Sequence, residues 1–126
     1  MKQLRESLLI LFGGTAYGLL EVLWRGHTHW TMLLLGGICF YLMAQLSRLS
    51  LPNYLCAVPC AYAITALEFL TGCVVNLLLG WNVWDYSAQP LNLLGQICFP
   101  FLGLWYLLSI AAIPIAKRLR TSLLRD

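Results

Sequence analysis

Three charged residues stand in or at the ends of stretches that are otherwise apolar: Glu21, Arg25 and Glu68. A carboxylate in hydrocarbon costs on the order of 2.5–3.5 kcal/mol on insertion scales, so both glutamates are expected to turn inward, toward each other or a polar pocket. Arg25 follows Glu21 by four residues, one helical turn, in the order that favours an ion pair. The corresponding position after Glu68 is Gly72. Two carboxylates therefore share one fixed cation, and the remaining charge calls for a proton, a bound cation, or His27 or His29. The structural alternative is that Arg25 bridges both glutamates and simply holds helices together.

The other polar chemistry is concentrated in Trp81–Asn92, WNVWDYSAQPLN, the one long polar and aromatic interruption of the chain. Its Trp84, Asp85, Tyr86 and Asn92, with Asn76 and His29, complete a candidate substrate or ion pocket around Glu21, Arg25 and Glu68. Trp24, Trp30, Trp81, Trp84 and Tyr86 equally suit an interfacial aromatic belt. His27 and His29, with the carboxylates, have the donor types of a transition-metal site, but two histidines one residue apart in a loop are weak evidence. No cofactor or resident metal is expected. There is no GxxxxGK followed by Ser or Thr, no GxSxG and no HExxH, so no nucleotide-binding or hydrolase motif supports an enzyme.

The elements that must position these residues follow from composition. Of 126 residues 60% are hydrophobic and 10% charged, with a mean hydropathy of +0.77, which excludes an ordinary soluble domain. The expected fold is all-α: one polytopic membrane domain, 1–126, with four transmembrane helices. The spans are Leu8–Trp24, Thr31–Ser47, about Tyr54–Gly80 and Gln96–Ala116. The first resembles a signal peptide, but no small-residue cleavage site follows it, so it is read as retained, with Gly26 as its cap. Pro59 and Pro100 should kink the third and fourth. The five cysteines all fall inside apolar runs without a CxxC pair and read as buried small hydrophobes. Nothing in the chain points to nucleic acid.

Seven of the eight Lys and Arg residues flank one side of these spans, leaving Arg25 alone on the other. Positive charge is retained in the cytoplasm, so both termini are expected there, in the cytoplasmic (inner) membrane, with Arg25–Trp30 and Trp81–Asn92 on the outer face. The two halves also echo each other. AYGLLEVL at Ala16–Leu23 matches AITALEFL at Ala63–Leu70, and LLGGICF at Leu34–Phe40 matches LLGQICF at Leu93–Phe99. The arrangement expected is two parallel helix-hairpin repeats, about 8–48 and 54–117, in which Glu21 and Glu68 are equivalent. Gly14, Gly18, Gly36, Gly37 and Gly103 would allow close helix contacts.

The pattern of Gly18, Glu21, Trp24-Arg25-Gly26, Thr28-His29-Trp30 and Gly36-Gly37, then Glu68-Phe69, Thr71-Gly72, Asn76, Val83-Trp84-Asp85-Tyr86-Ser87, Pro90, Asn92 and Gly95-Gln96-Ile97, resembles the ABC-transporter type IV family, also called CmpB-like. The resemblance covers about 13–105 and implies a small multi-pass permease-like component. The connector Arg48–Asn53 is too short for the coupling helix of an ordinary ABC permease. Two function classes follow: a transporter component with an outer-half polar pocket, or a membrane-embedded enzyme or lipid- or metal-binding accessory protein at the outer leaflet. Membrane lipid, a second copy or a partner transporter subunit are the expected partners.

Overall fold

The computed structural model describes residues 2–26 and 28–123. Four α-helices, α1 (Lys2–Arg25), α2 (Trp30–Leu46), α3 (Asn53–Gly72) and α4 (Phe99–Leu123), carry most of it. A π-helical stretch, Cys73–Leu78, prolongs α3, and two short strands, β1 (Asn92–Leu93) and β2 (Ile97–Cys98), pair antiparallel before α4.

Each boundary has a local cause. Gly26 ends α1 in the left-handed region, φ +81°, and its N–H still reaches the Val22 carbonyl at 2.8 Å. His29 caps α2 by accepting the Thr31 N–H on Nδ1. Pro100 is the second residue of α4, where a missing N–H has no helical partner to lose. The fourth helix thus starts three residues later than the hydropathy suggests, and Pro100 is a helix-start residue rather than a kink. The interior prolines are Pro59 in α3 and Pro114 in α4.

Three stretches, Glu6–Arg25, Asn53–Leu78 and Phe99–Leu119, are long and apolar enough to cross a membrane. The chain is a multi-pass membrane protein. The remaining helix, α2, has 17 residues, which at ~1.5 Å per residue falls short of a ~30 Å hydrocarbon core.

Packing pairs α1 with α2 and α3 with α4, while α2 also rests on α3 and α4; α1 and α4 barely meet. One core, at the end holding the α2–α3 connection, joins Leu9, Phe40, Met43, Cys56, Cys60 and Ile113. A second, toward the opposite or loop end, joins Met32, Leu35, Cys39, Val75, Val83 and Trp84. All five cysteines are free thiols, four buried and Cys73 half-buried. The α1–α2 seam is set by backbone proximity. A Cβ on Gly14 would strike the Leu33 carbonyl oxygen, and one on Gly37 the Ile10 carbonyl oxygen. Gly103, by contrast, faces open space and mediates no helix contact.

The two LLGxICF stretches adopt different conformations. Leu34–Phe40 is helical within α2, whereas Leu93–Phe99 supplies most of the β1–β2 hairpin and the first residue of α4. Leu94 (φ 54°) and Gly95 (φ 73°) form its left-handed turn, closed by the Gln96 N–H on the Leu93 carbonyl at 3.0 Å. In the first half the glycines press against α1 and need the helix; in the second, Gly95 permits the turn and Gln96 is drawn into a polar contact described below.

Gly37→Ala is expected to lower stability by ~1–3 kcal/mol, because the partner atom is fixed backbone. Gly103→Ala should be neutral or mildly stabilising, and thermal unfolding of the two variants in detergent checks the contrast.

Candidate functional site

Glu68 is only 2% exposed, near the middle of the Asn53–Leu78 helical run. Its two oxygens are served from separate elements: Trp105 of α4 donates its indole N–H to Oε1 at 3.2 Å, and the Tyr86 hydroxyl donates to Oε2 at 3.1 Å. Tyr86 is held in place by stacking on Phe101, centroids 4.7 Å apart. Both donors suit a carboxyl group, whose oxygens accept hydrogen bonds.

Glu21, 8% exposed, forms a second node. Thr28, just beyond α1, donates its hydroxyl to Oε1 at 2.5 Å, and Arg25 Nη2 lies 3.3 Å from Oε2 in the expected ion pair. Arg25 Nη1 reaches the Val83 carbonyl at 3.3 Å, tying α1 to the long loop. The Arg25 Nε and Nη2 hydrogens are buried without a hydrogen-bond acceptor among the described residues; the Glu21 contact attracts by charge but is not aligned as a hydrogen bond. Glu21 and Glu68 are close enough for each charge to act on Tyr17, whose ring packs against Trp105.

Asn76 tethers the loop. Within the π-helical stretch it accepts the Val83 N–H at 2.6 Å and donates to Gln96 Oε1 at 2.8 Å, while Trp84 donates to the Gln96 carbonyl at 2.9 Å. Gly72 makes this possible: a Cβ there would collide with the Gln96 side chain and the Trp84 ring. Where the first half has Arg25, the second thus has a docking surface for the loop.

Two cavities, of about 220 and 250 Å³, lie in the cleft between α1 and α4 and share Tyr17, Leu20, Trp105 and Leu108 as walls. The first is apolar except for Glu68 and Tyr17; the second has Glu21, Arg25, Trp84 and Tyr86 at its rim. Of the candidate pocket residues, Glu21, Arg25, Glu68, Trp84 and Tyr86 therefore converge on one cleft. Asn76 stands behind it as the loop tether.

The other three lie elsewhere. His29 caps α2 and packs against Trp30 and Trp81, 5.7 and 6.0 Å between ring centres. Asp85 is exposed and accepts the Ser87 N–H at 2.9 Å, an Asx turn on the loop's outer side. Asn92 staples the loop, donating to the Ser87 and Gln89 carbonyls and accepting from the Gly95 N–H. His27 lies outside the described residues, among which no group of three or more His, Cys, Asp or Glu side chains gathers. The Ser87 hydroxyl and N–H hold the Asp85 carboxyl below its ordinary range, and burial pushes the Tyr86 phenol well above its own, with the Glu68 charge adding to the effect.

The model of the family described as Putative ABC-transporter type IV matches residues 10–126. The chain belongs to this family. No curated protein and no solved structure matches it. The match runs beyond the 13–105 of the sequence resemblance to take in the rest of α4, past Trp105. That tryptophan is one of two site residues that sequence reasoning missed, because an aromatic in an apolar span reads as core; only its indole N–H, which a buried site obliges to find an acceptor, could have signalled more. Thr28, three residues past the end of α1, was the other.

Within the segment Trp84-Asp85-Tyr86-Ser87 the four side chains divide the work: Trp84 and Tyr86 turn in, Asp85 and Ser87 out. Trp84→Ala is expected to cost ~3–5 kcal/mol by emptying a buried site, with Asp85→Ala far milder at neutral pH; thermal unfolding reports both. Because its folded-state pKa is depressed, Asp85 contributes loop stability above its unfolded value, ~4, and loses it as pH falls through the folded one. A tryptophan-fluorescence titration should show that acid step in the wild type and not in Asp85→Ala.

Proposed function

We propose that this chain is a small permease-like transporter component of the cytoplasmic (inner) membrane, and that its solute-handling site is the polar end of the α1–α4 cleft. The observation that carries the reading is Glu68: a carboxylate deep in a span, held by donors from the loop and from α4, beside open volume. Intramembrane ionisable groups so placed mark solute, ion or proton paths. Tyr86 couples the state of Glu68 to the loop, so a change in its protonation or ion occupancy is felt at the cleft's rim.

The topology belongs to the same proposal. Four spans arranged as two parallel hairpins, α1–α2 and α3–α4, would put both termini on one side; seven of the eight basic residues select the cytoplasm for that side. In this arrangement α2 spans a locally thinned bilayer. The connector between α2 and α3 offers no surface for an ATPase, so any ATP coupling would come through a partner subunit, and a second copy of the chain could complete the thin bundle.

Cysteines introduced at Thr28 and Ser87 should react with an impermeant maleimide in intact cells, and one at Ser122 only after lysis. The reverse pattern would invert the topology. For function, purified protein in liposomes should admit at least one probe from a panel of protons, sodium, potassium and mixed amino acids above protein-free controls. Glu68→Gln should reduce that flux by about tenfold while retaining the fold, since the amide keeps the carboxyl shape. Absence of flux across the panel, with an intact fold, would favour an accessory or enzymatic role at the outer leaflet.

A further inference from the structure

The α1–α4 cleft has the shape and chemistry of an amphiphile site. Its lower cavity, about 220 Å³, is walled by Phe12, Ala16, Cys39, Met43, Ala111 and Ile115 among other apolar groups. That is several times the ~30 Å³ share of one water molecule, and an apolar lining gives water few partners. Leu20, Leu104 and Ile115 at the cleft's sides are exposed, and α1 and α4 barely touch, so the cleft opens sideways toward lipid rather than along the helix axes. Its other end carries Glu21 and Arg25.

The polar end specifies the headgroup through its hydrogen-bond inventory. The Glu68 oxygens are occupied by Trp105 and Tyr86, and one oxygen of Glu21 by Thr28. Arg25 is the cation of this end: it lines the upper cavity with its side chain 26% exposed, and its contact to Glu21 is an ion pair without hydrogen-bond alignment. A guanidinium at the wall of a cavity suits the oxygens of a phosphate. Charge then restricts the choice. Glu21 beside Arg25 gives this end one anion and one cation, which a headgroup carrying both a phosphate and its own ammonium complements and a purely anionic one does not. Glu21 has lone pairs left for that ammonium, since a carboxylate offers about four acceptor positions.

We propose that the cleft binds one phospholipid with an aminoalkyl phosphate headgroup, its phosphate on Arg25, its ammonium beside Glu21 and one acyl chain in the lower cavity. The assignment deepens the proposed transport site, resting on the same cleft, and it makes a membrane phospholipid the cleft's occupant.

The test is lipid retention by the full-length protein. Protein reconstituted in nanodiscs of equimolar phosphatidylethanolamine, phosphatidylglycerol and diacylglycerol is re-extracted into detergent, and the lipid held is counted by native mass spectrometry. The wild type should keep about one phosphatidylethanolamine per chain. Arg25→Gln should reduce retention at least fivefold. Because that change also removes the partner of Glu21, Ala111→Phe serves as the second variant: it fills the lower cavity from an exposed position, leaves every polar contact intact, and should reduce retention equally with unchanged helicity. Equal retention of all three lipids, or retention unaffected by both variants, would overturn the site; preference for phosphatidylglycerol would overturn the headgroup assignment. Selective retention without flux of any solute would leave this inference standing and sink the transport reading, whereas flux without retention would do the opposite.

Discussion

A carboxylate that cannot reach water must be given donors by the protein, and Glu68 sets that requirement for the whole loop-end half of this molecule. Unpartnered, it would cost several kcal/mol on transfer to a low-dielectric interior. It is partnered from two directions: Trp105 approaches from α4 and Tyr86 from the loop between α3 and α4. Satisfying one buried acid thus fixes where α4 stands relative to α3 and folds a long connection back onto the bundle. An apolar residue at the same place would pack without demanding either partner.

Holding Tyr86 in that position requires the loop itself to be anchored, and the anchors lie on the same helix as the acid. Gly72 leaves room for Trp84 and Gln96, and Asn76 takes the Val83 N–H and the Gln96 amide oxygen. Arg25 adds a contact from α1 to the Val83 carbonyl. The loop is therefore a structural wall of the cleft, with Trp84 and Tyr86 as its inner surface and Asp85, Ser87 and Asn92 as the turn-forming framework outside. The exposed leucines Leu91, Leu93 and Leu94 on that framework suit an interface with lipid better than one with water.

Much of this was legible in the sequence because hydrophobic length is a strong signal and burial of charge is a strict constraint. The all-helical membrane class, the Glu21–Arg25 pair, the inward-facing glutamates and the burial of four of the five cysteines all follow from those two facts. Side-chain direction in a loop follows from neither, which is why Asp85, Asn92 and His29 were grouped with a pocket that they do not line. They belong to turns and a helix cap, where short polar side chains bond to nearby backbone. The LLGxICF pair shows the other limit. Near-identical sequences became a helix in one place and a hairpin in the other because Gly36 and Gly37 meet α1 while Gln96 meets Asn76, and partners distant in the chain decide such cases.

The π-helical stretch Cys73–Leu78 imposes a constraint on how this chain can change over time. A π turn accommodates one residue more than an α turn, which rotates everything beyond it by roughly 100° about the axis. Asn76 sits within that rotation, and its two loop contacts exist only at that angle. Loss or gain of a single residue in this segment would relax it to another winding and swing the amide away from Val83 and Gln96. The exposed stretch Ala88–Leu91, in contrast, could absorb a length change on the outside of the loop. Across divergent sequences of this architecture, length is thus expected to vary at the loop's tip and to stay constant in the segment that launches it.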